Sequence, residues 1–109
     1  MTHDQVVAEI QVRAKRRGVL SHYCHRAQFC QGDNGIPDLQ LVGPFGAAWA
    51  EVKSPYDRLE PEQTTWMHAL KAAGQLHYVV RPQGLDDGSV DAMLDRLAYG
   101  QTLLPGMVA

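Results

Sequence analysis

Asp38-Leu39-Gln40-Leu41-Val42-Gly43-Pro44-Phe45-Gly46-Ala47-Ala48-Trp49-Ala50-Glu51-Val52-Lys53 is the most informative stretch of the chain. Residues 38–42 alternate in polarity, residues 47–53 alternate again, and Gly43 to Gly46 between them is a turn signal. Two alternating runs about a turn read as a β-hairpin. With the turn centred between Pro44 and Phe45, residues pair where their numbers sum to 89, and Asp38 lies opposite Glu51. Side chains of a strand alternate between its two faces. One face then carries Leu39, Leu41, Ala48, Ala50 and Val52, and the other carries Asp38, Gln40, Trp49, Glu51 and Lys53. A slip of one residue would mix the two sets, so the pattern itself selects the register. Pro44 opposes a tight primed turn, which needs positive φ there, and a four-residue loop with the same centre is expected.

Working outward, Thr2 followed by Gln5 is a capping-box signature. Val6, Val7, Ile10 and Ala14 then recur at helical spacing up to Gly18, predicting an amphipathic helix over 3–17 with a basic C-terminal end. Residues 19–24 read as a strand or extended loop, Ala27 to Cys30 as a short strand, and Gln31 to Gly35 as a turn. Beyond the hairpin, Pro61 opens a second helix with an apolar stripe of Trp66, Met67, Leu70 and Ala73, read as core, and Gly74 ends it. Leu76 to Val80 is a strand stopped by Pro82, and a third helix over 86–98 carries Val90, Met93, Leu94 and Leu97 on one side. The expected architecture is an α/β domain with a mixed sheet and flanking helices, single over residues 1–109, with its core over about 3–98 and a tail over 100–109.

Composition is ordinary for a globular chain, with 45% hydrophobic and 20% charged residues. A net charge of −2 does not by itself advertise a nucleic-acid binder, so the distribution matters more. Arg13, Lys15, Arg16 and Arg17 lie together, whereas Asp86, Asp87, Asp91 and Asp95 are grouped near the C-terminus. The basic run is a candidate for salt-dependent, sequence-independent contact with a DNA backbone. No apolar run approaches the roughly 18 residues of a membrane span, and the N-terminus lacks the pattern of a signal peptide. Cys24 and Cys30 do not make a disulfide framework, and the chain reads as cytoplasmic with reduced thiols. His22, Cys24, His25 and Cys30 match no standard zinc spacing closely.

Two carboxylates opposite each other on one sheet face repel unless something positive lies between them. Oxygen ligands of this kind suit magnesium or manganese. Lys53 shares the face of Glu51, where an ammonium can orient water and offset negative charge on a phosphate. Phosphodiester hydrolysis needs a metal, a water nucleophile and a positive group, and this set can supply them.

Gly35-Ile36-Pro37-Asp38, then Glu51-Val52-Lys53, then Gln63 within Leu59-Glu60-Pro61-Glu62-Gln63, and finally Gly74 before Val79-Val80-Arg81, resemble the VRR-NUC family of PD-(D/E)xK nucleases. The resemblance covers residues 35–82 well and the first helix loosely. It implies a restriction-endonuclease-like fold with an αβββαβ core. It also implies magnesium or manganese held by Asp38, Glu51 and the Val52 carbonyl, with Glu9 as a further ligand from the first helix. Lys53 would be the catalytic lysine, and Gln63 would line the site. Small stand-alone members resemble Holliday-junction resolvases of bacteria and phages that act as homodimers on branched DNA, which places the chain in a bacterial or phage-infected cell. Alternatives are a nuclease for flaps, nicks or duplex DNA in repair or viral genome processing, and a DNA-binding module without catalysis. Taken alone, Glu9 is equally well placed to pair with Arg13 one helical turn on.

Overall fold

The computed structural model describes residues 1–24 and 31–100. The expected short strand at Ala27 to Cys30 and the tail beyond Gly100 lie outside these residues. Helix α1 spans His3–Arg16 and is capped as the sequence predicts: Thr2 Oγ1 accepts from the Gln5 amide at 3.1 Å, and the Thr2 amide donates to Gln5 Oε1 at 2.8 Å. Val6, Val7, Ile10 and Ala14 are its buried residues. Strands β1 (Leu20–Tyr23), β2 (Leu39–Gly43), β3 (Gly46–Val52) and β4 (Leu76–Val80) form one sheet in the order β1-β2-β3-β4. The first two pairings are antiparallel and β3–β4 is parallel, with helix α2 (Pro61–Ala72) as the crossover. A 3-10 turn at Pro82–Leu85 leads into α3 (Ser89–Tyr99). This is a mixed sheet flanked by helices, with the expected αβββαβ core.

The hairpin register is the predicted one, with Leu39 opposite Ala50, Gln40 opposite Trp49 and Leu41 opposite Ala48. The predicted apolar face is the core: Leu39, Leu41, Ala48, Ala50 and Val52 are buried with α1 and α3 residues such as Ile10, Leu94 and Leu97. The loop is tighter than expected. Gly43 pairs with Gly46, so Pro44 and Phe45 alone connect the strands. Neither has positive φ, so the connection is not one of the primed turns. Contacts from α3 offset the loss, since the Phe45 amide donates to the Leu97 carbonyl at 3.0 Å. A Cβ on Gly43 would collide with that same carbonyl, which explains a glycine at the strand end.

Two helices differ from expectation. In α2 only Leu70 is buried, whereas Trp66 and Met67 are half-buried and Ala73 is exposed. Its stripe lies over the polar face of the sheet, where Trp66 meets Trp49 with ring centroids 6.5 Å apart. The third helix starts at Ser89, three residues later than predicted, because Asp87 folds back to accept from the Ser89 amide at 2.8 Å and Gly88 takes positive φ. Cys24 is disulfide-bonded, contrary to the expectation of reduced thiols. Among the described residues no helix is long and apolar enough to cross a membrane.

Candidate metal and nuclease site

The polar hairpin face and the first turn of α2 meet at Glu51. This side chain is 3% exposed and is the buried charged residue among those described. Its two oxygens differ. Oε1 accepts from Gln63 Nε2 at 2.9 Å, whereas Oε2 is buried without a hydrogen-bond partner. Gln63 is held in turn, because its Oε1 accepts from the Glu60 amide at 2.8 Å in the capping box of α2. Pro61 at the start of the helix thus leads to a side chain that caps the helix and orients Glu51 together. Gly35 sets the other wall. It has φ of +91°, and a Cβ there would run into the Glu62–Gln63 backbone, so only glycine lets the 31–37 segment lie against α2.

Asp38 stands at the mouth of β2, where its Oδ2 accepts from the Val52 amide at 2.8 Å. Burial pushes the Glu51 carboxyl up to about 8, with the Asp38 carboxylate as the second cause, while Lys53 acts in the opposite direction. The predicted opposition of Asp38 and Glu51 is therefore a close electrostatic pair. A buried carboxylate that faces a second carboxylate and has an oxygen unsatisfied must either hold a proton or meet a cation. Lys53 follows β3, half-buried, with its amide bonded to the Val80 carbonyl at 2.9 Å. A cleft of about 430 Å³ opens beside Asp38 and Gln63 and is walled by Asn34, Gly35, Ile36 and Trp66. Arg81 secures the segment after Lys53, donating from Nη1 to the carbonyls of Ser54 at 2.6 Å and Asp57 at 2.8 Å.

Helix α1 contributes differently from expectation. The Glu9 carboxylate is 3.0 Å from Arg13 Nε, the one-turn pairing open from the sequence. Among the described residues no three His, Cys, Asp or Glu side chains group closely enough to hold a metal ion. The α1 residue that does reach Asp38 is His3, whose Nε2 lies 3.3 Å from Asp38 Oδ2. Behind it, Tyr23 donates to Asp4 Oδ1 at 2.9 Å, and burial with the Asp4 bond pushes the phenol up to about 12. Sequence reading missed His3 because a contact across 35 positions leaves no trace in local spacing.

The basic run also divides. Arg13 donates to the Leu85 carbonyl at 2.8 Å and pairs with Asp91 at 3.2 Å, and Arg17 pairs with Asp95 at 2.8 Å and Asp91 at 2.9 Å. These two arginines join α1 to α3 and are about four-fifths buried. Of the four basic residues, Lys15 and Arg16 are the exposed ones. They lie ~18 Å along the α1 axis from His3, at a rise of about 1.5 Å per residue.

The VRR-NUC domain model matches residues 2–83. A solved structure described as a VRR_NUC domain superposes with a TM-score of 0.68 at 21% identity, covering 82% of this chain and 94% of that one. Another, described as a VRR_NUC domain protein, gives 0.65 at 22% identity, covering 95% and 98%. No curated protein matches. These likenesses bear on the fold, and the family model bears on membership over three quarters of the chain. The chain belongs to the VRR-NUC family of nuclease domains.

Proposed function

We propose that this protein is a DNA endonuclease dependent on magnesium or manganese, which hydrolyses phosphodiester bonds in branched DNA, Holliday junctions in particular, as a homodimer. The observation that carries the metal reading is the orphaned Glu51 Oε2, buried beside Asp38. The donor set fits: magnesium is commonly held by one or two carboxylates and keeps several waters. Asp38 and Glu51 would hold it, with the Val52 carbonyl as a third oxygen. When bound, such an ion supplies charge neutralisation and Lewis acidity to phosphodiester hydrolysis.

The protein's own groups divide the remaining work. Gln63 fixes Glu51 through the 2.9 Å bond, so the carboxylate enters the site already oriented. Lys53, on the face of Glu51, offers an ammonium that attracts the phosphate, orients the attacking water and offsets charge as the pentavalent state forms. Arg81 keeps the backbone after Lys53 in place. Lys15 and Arg16, exposed at the far end of α1, add salt-dependent contacts to the DNA backbone.

The test is cleavage of a labelled four-way junction, linear duplex and flap DNA with magnesium or manganese, together with the mass of the protein in solution. Junction cutting by a dimer supports the proposal in full. Cutting of flaps or duplex by a monomer keeps the nuclease and discards the resolvase. Binding without cutting of any substrate overturns it in favour of a DNA-binding module.

A further inference from the structure

Asp38 is held from two sides, and the second side is unassigned. Its Oδ2 takes the Val52 amide at 2.8 Å and lies 3.3 Å from His3 Nε2. A carboxylate only accepts, so the contact is a hydrogen bond in the tautomer that carries its proton on Nε2. Both contacts act on the same oxygen, Oδ2. The imidazole is 43% exposed and has two neighbours on its other side. Tyr23 Oη is 3.4 Å from Nδ1, the two rings stand 6.1 Å apart at 45°, and Asp4 Oδ1 lies 3.7 Å from Nδ1. His3 is the first residue of α1, directly after the Thr2 cap, so the capping box fixes its backbone as well.

We propose that His3 is a positioning residue for Asp38: lodged against Tyr23 and Asp4, its ring holds Oδ2 so that the Asp38–Glu51 pair is set for a divalent cation. The last clause rests on the metal reading above; the orientation of Asp38 does not. His3 is not offered as a ligand, since it does not group with two acidic side chains. The α1 helix thus serves the site through a hydrogen bond at its N-terminus, whereas Glu9 is engaged by Arg13. Partners that orient a metal ligand typically matter about 10–100-fold in metal affinity or activity.

The experiment compares wild type with His3→Ala, His3→Gln and Tyr23→Phe, each first shown to melt as a folded domain. Exchange protection of the Val52 amide in metal-free protein reports the Asp38 bond directly. Calorimetric titration with manganese reports the cation. Expected are a loss of Val52 protection and about a tenfold or greater fall in manganese affinity in His3→Ala. His3→Gln, whose amide can still donate, should recover most of both, and Tyr23→Phe should fall in between. Unchanged Val52 protection in His3→Ala overturns the proposal, whatever manganese does. Loss of protection in a protein whose wild type takes up no manganese keeps the positioning role and rejects the metal reading instead.

Discussion

Gln63 Nε2 donates to Glu51 Oε1 at 2.9 Å, and the same amide group accepts from the Glu60 backbone at 2.8 Å. One side chain therefore closes the N-terminus of α2 and holds one oxygen of a buried carboxylate on β3. The other oxygen has no partner, and the nearby acid is Asp38. Such a carboxylate is a cost to the fold without a cation, and sites of this kind trade stability for function.

Replacing the charge should expose that trade. In Glu51→Gln there is no buried acid that must hold a proton or face Asp38 as an anion, and the metal-free protein should gain about 1–2 kcal/mol in urea unfolding near neutral pH. DNA cleavage should fall about 100-fold or more. A less stable variant that still cleaves would contradict the role given to Glu51.

Stability should also follow pH in a defined direction. The folded, metal-free protein keeps the Glu51 proton up to about pH 8, whereas an unperturbed glutamate releases it near 4.5. Between these values the native state binds more protons than the unfolded chain, so this contribution is full below 4.5 and is lost as pH rises through 8. Burial of His77, then Lys71 beside it, lowers that imidazole and acts the other way near its own titration. The difference between wild type and Glu51→Gln, measured in EDTA at several pH values, isolates the carboxyl. It should widen in favour of the variant as pH rises, and manganese should shrink it. A gap that narrows with pH in EDTA would refute the assignment.

Much of this was readable in advance, for local reasons. Leu39, Leu41, Ala48 and Ala50 alternate so cleanly that only one hairpin register buries them all, and that register puts Asp38 and Glu51 together. The Thr2–Gln5 cap and the α3 stripe are likewise periodic features of short segments. What escaped depends on segments distant in sequence. Leu97 of α3 anchors the turn and shortens it; Trp49 meets Trp66 and keeps the α2 stripe out of the core; and Asp91 and Asp95 claim two arginines of the basic run. His3 reaching Asp38 belongs with these.

The division of the basic run predicts opposite phenotypes. Arg17→Ala strands Asp95, leaves Asp91 to Arg13 alone, and should cost about 1–3 kcal/mol of stability. Lys15→Ala and Arg16→Ala should leave the melting temperature nearly unchanged. Each should instead weaken DNA binding on all sequences and reduce the salt slope by about 1. Melting curves and filter binding at several salt concentrations separate them, and a salt slope unchanged in both variants would remove this surface from the interface.

Arg81 holds the carbonyls of Ser54 and Asp57 just past Lys53. Arg81→Ala should loosen that segment and lower kcat about tenfold with little change in DNA affinity, because a small displacement of a positioned group is costly to rate. Equal losses in affinity and kcat would point to direct DNA contact by Arg81.

The most direct measurement is the rate of strand cleavage on a labelled four-way junction and on linear duplex, in magnesium, manganese and EDTA, for wild type and Lys53→Ala. Cleavage should require the metal, and Lys53→Ala should lose about 100-fold or more of it while still binding DNA. Cleavage that persists in EDTA, or that Lys53→Ala performs at the wild-type rate, would contradict the site built here around Asp38, Glu51 and Lys53.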